Sequence, residues 1–192
     1  MKFYVDITIL PSADIGHHFL WEKVFQQIHL GFVEMQDSKG VVPIGIALPE
    51  YDAEKFSLGS KLRLLAETEN ILQQFSATKR LNRLVDYVQI FSICKVPDKV
   101  SIFACYRRQQ TKTNKERLAR RKAKREGISV EQATKNLENF KDRLVQTPFI
   151  KMQSQSSGKS FRLFIEKRAA SVAINQGFNS YGLSTESAVP DF

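Results

Sequence analysis

Apolar side chains in the first hundred residues recur at two different spacings. Alternation at every second residue, as in KFYVDITIL, is typical of a strand with one buried face, while spacings of three and four, as in HFLWEKVFQQIHLGFVEMQ, are typical of an amphipathic helix. Turn-forming residues such as DSKG separate the segments. The pattern predicts strands at 2–10, 41–49, 60–67 and 88–97, a helix at 18–36, and shorter helical turns at 69–75 and 79–88.

These elements follow one another in the order strand, helix, strand, strand, helix, strand. This is the order of the ferredoxin-like fold, which also underlies RRM domains. We therefore expect an α+β protein whose N-terminal domain, residues 1–98, is ferredoxin-like (RRM-like).

The remaining residues, 99–192, are predicted to form a C-terminal α/β half. Its pattern begins with a strand, continues with two helices and returns to strand-like segments. Ser129 and Gln132 have the spacing of a capping box at the start of the second helix. The predicted elements are a strand at 100–108, helices at 114–125 and 129–145, and strands at 148–154, 159–168, 171–174 and 178–184.

Composition narrows the class of protein. A hydrophobic content of 42% over 192 residues is sufficient for a folded core, which excludes global disorder. The chain has no apolar run of the length that spans a membrane, and Asp6 interrupts the apolar start where a signal peptide would have its core. We therefore expect no membrane association and a cytoplasmic location. Cys94 and Cys105 lie in apolar stretches and are expected to stay reduced, and neither cysteines nor histidines have zinc-site spacing, so no metal is expected.

Positive charge is concentrated in one segment, residues 107–125. The chain has 29 Lys+Arg and 20 Asp+Glu, a net charge of +9. The segment RRQQTKTNKERLARRKAKR alone holds ten basic residues and one acidic residue, which is also +9. The rest of the chain therefore has 19 basic and 19 acidic residues and is neutral overall.

Within this segment we predict an arginine-rich helix from Asn114, a plausible N-cap, to Arg125, closed by Gly127. Its cations share an arc of about 140° and repel one another at i,i+4 spacing, so a bound polyanion would stabilise the helix. A solvated charged face is the alternative, and a membrane surface is disfavoured because the helix lacks an apolar face. The residues of the arc are Arg117, Arg120, Arg121, Lys124 and Arg125.

The stretch FQQIHLGFV, residues 25–33, raises a question about His29. Histidine is the side chain suited to general base catalysis near neutral pH. His29 nevertheless flanks an apolar stripe of the predicted helix, so on these residues alone a packed core histidine is the more common outcome. His17 and His18 are alternatives, but GHHFL lies where the chain enters the helix, and we expect both to be solvated.

Several strings together resemble one family. SQSSGKSFRLFI at 154–165, SYGLS at 180–184 and the terminal VPDF, with FQQIHLGFV and RRQQTKTNKERLARR before them, resemble the CRISPR-associated endoribonucleases that process precursor CRISPR RNA in type I-F systems. The resemblance implies a sequence- and structure-specific ribonuclease that cuts at the base of each repeat hairpin. It implies no metal or cofactor, attack by the ribose 2′-hydroxyl, and a 2′,3′-cyclic phosphate and a 5′-hydroxyl as product ends. It further implies that the hairpin product is retained and that the protein is a subunit of the type I-F RNA-guided surveillance complex.

The resemblance also implies roles for particular residues at the cut. It implies that His29 is the catalytic histidine, that Ser154 positions the ribose and that Tyr181 helps to orient the histidine. Ser156 matches a second serine near the site, and Phe161 matches an aromatic that stacks on the last base pair of the stem. The residues alone allow simpler roles, since the serines could form a turn around a glycine and the two aromatics could pack in strands.

Further residues are implied to bind the RNA stem. Arg108 and Gln110 match a pair that reads base edges in the major groove, and the cations of the arginine-rich helix match side chains that lie along this groove. Ala119 and Lys124 depart from the pattern, in which arginine is usual, and lysine lacks the bidentate geometry of arginine toward phosphate. Two other classes remain as alternatives: a non-catalytic hairpin-binding subunit of a CRISPR ribonucleoprotein, and a general RNA- or DNA-binding module.

Overall fold

The computed structural model describes residues 1–110, 115–138, 145–155 and 157–192. The chain divides into two compact units. The larger consists of Met1–Arg108 together with Thr147–Phe192, and the smaller is Gln109–Gln146.

The first sheet of the larger unit is antiparallel. Its strands are β1 Phe3–Ile9, β2 Ile44–Ala47, β3 Lys61–Ala66, β4 Val88–Ile90 and β5 Cys94–Lys95. Their order is β2-β3-β1-β4, and β5 pairs with β1 at Phe3 and Tyr4, whereas β4 pairs with the other end of β1. β1 and β3 pair from Phe3 opposite Ala66 to Thr8 opposite Lys61.

The helices of this unit connect those strands. The chain passes through α1 His17–Glu34 between β1 and β2, and through α2 Glu69–Phe75, α3 Ala77–Arg80 and a 3₁₀ turn at Asn82–Leu84 between β3 and β4. α1 forms because its apolar side chains recur every three or four residues and share one face. That face is buried in the core through Leu20, Trp21, Val24, Phe25, Ile28 and Phe32.

A second antiparallel sheet shares the same hydrophobic core. Its strands are β6 Phe103–Gln109, β7 Phe149–Gln153, β8 Ser160–Ala170 and β9 Val189–Pro190. Their order is β7-β8-β6-β9, and β7 pairs with β8 from Phe149 opposite Phe164 to Gln153 opposite Ser160. Alternate residues of this hairpin, Ile150 and Met152 on β7 and Leu163 and Ile165 on β8, are buried.

The smaller unit contains α4 Lys115–Glu126 and α5 Val130–Lys135. The two helices pack through the small side chains Ala119, Ala123 and Ala133. The sequence pattern shows no stripe of large apolar residues in the basic helix, but alanines at i,i+4 spacing provide a narrow one. Gly127, with φ of +66°, ends α4, and the Ser129 hydroxyl accepts a hydrogen bond from the Gln132 backbone N–H at 3.1 Å. The predicted N-cap Asn114 lies outside the described residues.

The α+β class is confirmed, but several predicted strands are wrong in detail. The segment 88–97 is two short strands, β4 and β5, rather than one. The segments 171–174 and 178–184 are not strands and contribute only isolated bridges, Ile174 with Ala188 and Phe178 with Val42. In the described part of the chain the helix predicted at 129–145 ends at Lys135, and residues 139–144 lie outside that part.

None of the helices in the described ranges has the length and apolar content that crossing a membrane requires.

Candidate active site

His29 lies at the edge of the buried face of α1. Its neighbours Ile28 and Phe32 are fully buried and fix the helix against the core, while His29 itself is only half-buried. The imidazole is therefore accessible from one side. His17 and His18 form the exposed first turn of the same helix.

The orientation of the imidazole is set by a backbone carbonyl. His29 Nδ1 lies 2.6 Å from the carbonyl oxygen of Ser180. Because a carbonyl oxygen can only accept, Nδ1 must carry the hydrogen of this bond. In the neutral ring Nε2 then has a free lone pair, which is the state that a general base needs.

Tyr181 fixes the plane of the same ring. The Tyr181 and His29 rings are stacked, with centroids 4.4 Å apart and an angle of 9° between the planes. The hydrogen bond restrains rotation of the imidazole within its plane, and the stack restrains tilting out of that plane. Together they hold the His29 side chain in one orientation.

The turn that contains Ser180 and Tyr181 is held to both sheets. Asn179 Oδ1 accepts hydrogen bonds from the backbone N–H groups of Tyr181 and Leu183 at 2.8 and 3.3 Å, which is why this segment is a turn and not a strand. The Gly182 carbonyl accepts from Ile46 N–H of β2 at 3.0 Å, and Ser184 N–H donates to the carbonyl of Tyr106 in β6 at 2.9 Å.

Gly182 is required at this point. It has φ of +68°, and a Cβ atom there would lie 2.6 Å from Ile46 Cγ2 and 2.8 Å from Phe32 Cε2. Any other residue would combine an unfavourable backbone conformation with a steric clash.

Phe161 and Arg108 extend the cluster beyond Tyr181. The Phe161 and Tyr181 rings meet edge to face, with centroids 6.5 Å apart. The Arg108 guanidinium carbon lies 5.3 Å from the Phe161 ring centroid and 5.7 Å from that of Tyr181. A cation at these distances is attracted to the aromatic faces, so Arg108 is held beside the two rings. The structure thus brings His29, Tyr181, Phe161 and Arg108 into one contiguous group.

Ser154 lies at the end of β7, immediately after a link to α1. The Gln153 backbone N–H donates to Gln26 Oε1 at 3.3 Å, and Gln26 precedes His29 by three residues, on the same side of the helix. The Ser154 hydroxyl is 3.0 Å from that of Ser157, and Gly158 N–H donates to the Ser154 carbonyl at 2.8 Å. Ser154 and Ser157 therefore lie in a turn, as their composition allowed, and this turn starts beside α1. Ser156 lies outside the described residues.

Arg107 anchors β6 next to Arg108. Its Nε donates to Glu166 Oε2 on β8 at 2.7 Å, and Arg168 Nε donates to the other oxygen of the same carboxylate at 3.0 Å. Burial acts to raise the pKa of Glu166, but the hydrogen bonds and charges of the two arginines outweigh it and lower the pKa below its usual value. Successive strand residues point to opposite faces, so this ion pair leaves Arg108 on the side of the aromatic rings.

The remaining predicted RNA-binding residues belong to the smaller unit. Gln110 precedes α4 and is exposed, and five cations of α4 are likewise exposed. Two of them contact acids of the same helix: Arg120 Nη2 is 3.3 Å from Glu116, and Arg125 Nη2 is 2.8 Å from Glu126. Exposed pairs of this kind contribute little and are easily exchanged for other anions. The five exposed cations are Arg117, Arg120, Arg121, Lys124 and Arg125.

Three contributors to the group around His29 were not predicted: Ser180, Gln26 and Gln153. Ser180 acts through its backbone carbonyl, for which the sequence carries no side-chain signal. Gln26 could have been found, since it lies one turn before His29 on the same face of the helix. Its Nε2 is buried without a hydrogen-bond partner. Within the described residues, no group of three or more His, Cys, Asp or Glu side chains is placed to hold a metal ion.

Comparison with known proteins agrees with the sequence strings. Residues 4–192 match the profile of the family described as CRISPR-associated protein (Cas_Csy4). A protein of Pseudomonas aeruginosa (strain UCBPP-PA14) named CRISPR-associated endonuclease Cas6/Csy4 is 33% identical over the full length of both chains. Its namesake in Escherichia coli (strain UTI89 / UPEC) is 29% identical, also over both full lengths. A solved structure titled as a RAMP protein binding different RNA substrates covers 98% of this chain at 13% identity, with a TM-score of 0.39 that is too low to bear on the fold.

Proposed function

The chain belongs to the Cas_Csy4 family of CRISPR-associated proteins, and we propose that it is an endoribonuclease that cleaves precursor CRISPR RNA at the base of the repeat hairpin. The full-length similarity to two proteins named as endonucleases supports this activity. The observation that carries the proposal is the hydrogen bond from His29 Nδ1 to the Ser180 carbonyl, because it leaves Nε2 as the free base.

The proposed reaction is an internal transesterification that needs no metal ion. His29 Nε2 removes the proton of the ribose 2′-hydroxyl, whose oxygen attacks the adjacent phosphorus. The bond from the 2′-oxygen to phosphorus forms as the bond to the 5′-oxygen breaks. The leaving 5′-oxygen takes a proton from water and His29 releases the proton that it accepted, so the products are a 2′,3′-cyclic phosphate and a 5′-hydroxyl. A positioned base of this kind contributes about 10²- to 10⁴-fold to the rate.

The other residues around His29 would position the substrate. In this proposal Tyr181 holds the imidazole plane, Ser154 orients the ribose with Ser156 nearby, and Phe161 stacks on the last base pair of the stem. Support comes from the contacts of Phe161, which is half-buried and lies between the core and Arg108. An aromatic face beside a guanidinium suits a terminal base pair and its phosphates.

Recognition of the stem is assigned to Arg108, Gln110 and α4. Arginine and glutamine can each make two hydrogen bonds to base edges. The exposed cations of α4 suit the phosphates that line a groove, and a helix that packs through alanines leaves most of its long side chains for this purpose.

We also propose separate roles for the two parts of the chain on either side of residue 98. We assign residues 1–98, which present His29, to a ferredoxin-like (RRM-like) domain, and residues 99–192 to RNA binding. The element order and the antiparallel strand order β2-β3-β1-β4 support the ferredoxin-like assignment. After cleavage the protein would retain the hairpin product and act in the cytoplasm as a subunit of the type I-F RNA-guided complex.

One substrate tests the chemistry. A repeat hairpin with a 2′-deoxy sugar on the 5′ side of the scissile phosphate should bind as tightly as the all-RNA hairpin and remain uncut, while the all-RNA hairpin is cleaved in excess EDTA to a cyclic phosphate end. Cleavage of the deoxy substrate would mean that water is the nucleophile, and strict dependence on Mg²⁺ would contradict the metal-independent mechanism. If both RNAs are bound and neither is cut, the protein is a non-catalytic hairpin-binding subunit.

A further inference from the structure

A cavity of about 380 Å³ in the larger unit is lined by basic side chains from two separate parts of the chain. One part is the middle of α1, and the other is α3 with the 3₁₀ turn that follows it. Among the described residues, Leu84 is the single apolar side chain in the lining. The polar lining consists of Lys23, Gln27, Lys79, Arg80, Asn82 and Arg83.

Three of the cavity's four cations are close together in the chain. Lys79, Arg80 and Arg83 lie within five residues that include no acid, and folding adds Lys23 of α1 to them. Two carboxylates offset part of the cavity's charge: Glu22 lies 3.4 Å from Lys23 Nζ, and Glu34 lies 2.5 Å from Arg80 Nη2. No ion pair among the described residues involves Lys79 or Arg83. Four cations against two carboxylates leave the cavity positive.

The neighbouring carboxyl group of Glu34 shows the effect of this positive charge. The pKa of Glu34 is lowered, first by its hydrogen bond from Arg80 and then by the charges of Arg80 and Lys79. An anion bound in the cavity would offset this excess of positive charge.

The cavity lies away from His29 on α1. At 100° per residue, Gln27 is about 160° and Lys23 about 120° around the helix from His29. The stem and the scissile phosphate on the His29 side would therefore not occupy it. A single strand that leaves the hairpin and passes around α1 could reach it, since the helix with its side chains is only about 10–12 Å across.

We propose that this cavity binds a phosphodiester group of the single-stranded RNA that flanks the repeat hairpin, an inference that rests on the proposed function. Lysine ammonium groups, arginine guanidinium groups and amide N–H groups are the donors that phosphate oxygens take in proteins. A protein partner is less well matched, because the centre of a protein interface is usually depleted of lysine and enriched in aromatic side chains.

The test compares two kinds of RNA, each with a 2′-deoxy sugar at the cut so that it stays intact. One is the repeat hairpin alone, and the other is the hairpin with a single-stranded extension on its 5′ or its 3′ side. The wild-type protein should bind at least one extended RNA more tightly, with a salt dependence of log K steeper by about 0.7 for each extra phosphate bound. The K79A/R83A double variant, which changes two exposed side chains, should abolish this gain and bind the bare hairpin as before.

A variant of equal charge provides the control. K39A/K99A also removes two exposed cations, neither of which lines the cavity, and it should keep the gain. Equal losses in both double variants would reduce the effect to net charge and overturn the inference, as would an absence of any gain in the wild type. The wild-type protein could instead bind polyglutamate, lose that binding in K79A/R83A, and show no higher affinity for either extended RNA. That result would overturn the inference and assign the cavity to an acidic protein partner. If the wild-type protein does not bind even the bare hairpin, the proposed function itself is wrong. A thermal unfolding curve of each variant checks that it is folded.

Discussion

His29 donates its Nδ1 hydrogen to the carbonyl oxygen of Ser180 across 2.6 Å, although the two residues are 151 positions apart in the chain. The acceptor belongs to a turn that is itself hydrogen-bonded to β2 and β6. The state of the imidazole therefore depends on how the C-terminal turn is held, and substitutions in the ring, in its neighbours and in the turn should have separable effects.

The first prediction concerns His29 itself. H29A should lower the rate of hairpin cleavage by about 10²-fold or more, because it removes the base. Hairpin affinity and thermal unfolding should change little, since the side chain is only half-buried. Single-turnover cleavage, a binding titration and a melting curve measure the three quantities. H18A, at an exposed position of the same helix, is the control and should behave as wild type. A reduction in activity that merely follows the unfolded fraction would show that His29 is structural.

The second prediction separates the ring of Tyr181 from its hydroxyl. Y181F keeps the stack on His29 and should cleave at nearly the wild-type rate, whereas Y181A removes it. A stacked aromatic pair is worth about 0.5–1.5 kcal/mol, so we expect Y181A to be slower by about two- to tenfold in single-turnover cleavage. If Y181F is as slow as Y181A, the hydroxyl acts in the reaction and the stacking argument is wrong.

The third prediction concerns Gly182, in the turn whose Ser180 carbonyl accepts the hydrogen bond from His29. G182A introduces a left-handed alanine that clashes with Ile46 and Phe32, and should destabilise the protein by about 2–4 kcal/mol, from backbone strain and overpacking together. G40A is the matched control, because Gly40 has φ of +77° but its added Cβ would meet only Gln36 at 3.6 Å. It should show the backbone cost alone, about 1–2 kcal/mol. Equal destabilisation of the two variants in urea-induced unfolding would mean that the clash with Ile46 and Phe32 is unimportant.

The fourth prediction concerns α4. Replacing Arg117 and Arg121 by alanine should weaken hairpin binding and flatten the plot of log K against log salt by about 0.7–0.9 for each phosphate that the variant no longer binds. K39A/K99A again removes two positive charges elsewhere and should leave the slope unchanged. Q110A should instead weaken binding only to hairpins with particular bases near the cut, since glutamine reads base edges. An unaltered slope in the arginine variant would identify α4 as a solvated surface.

The fifth prediction concerns pH and Glu166. Because the pKa of this carboxyl is lowered in the folded state, its ion pairs stabilise the protein above the unfolded-state pKa, and this contribution disappears as the pH falls through the folded-state pKa. E166Q should therefore be less stable than wild type at neutral pH, and the difference should vanish in acid below the folded-state value. Unfolding free energies measured across that range check this, with E186Q, at an exposed side chain, as control. A difference that is constant with pH would show that packing rather than charge is responsible.

Much of the fold follows from local spacing. The alternation in 2–10 and the helical spacing in 18–36 predicted β1 and α1 to within a residue or two, because burial of one face is a property of neighbouring residues. The α+β class and the family itself could also be inferred before the structure, and both are confirmed.

Segments whose structure depends on distant partners were less predictable. The strand predicted at 178–184 was wrong, because the Asn179 side chain accepts hydrogen bonds from the backbone N–H groups of Tyr181 and Leu183 and so holds the segment as a turn. The alanine contact between α4 and α5 was missed, since alanines at i,i+4 spacing give a weak hydrophobic signal until a second helix covers them.

The sequence by itself determined β1, α1, the α+β class and the concentrated charge of 107–125, because these depend on residue type and local spacing. The candidate side chains at the site came from the resemblance of its strings to one family. Only the tertiary structure decided the hydrogen-bonding state of His29, since a backbone carbonyl such as that of Ser180 has no sequence signature. It alone also placed Lys23 of α1 beside Lys79, Arg80 and Arg83 in one cavity, because contacts between distant segments form only when the chain packs around its core.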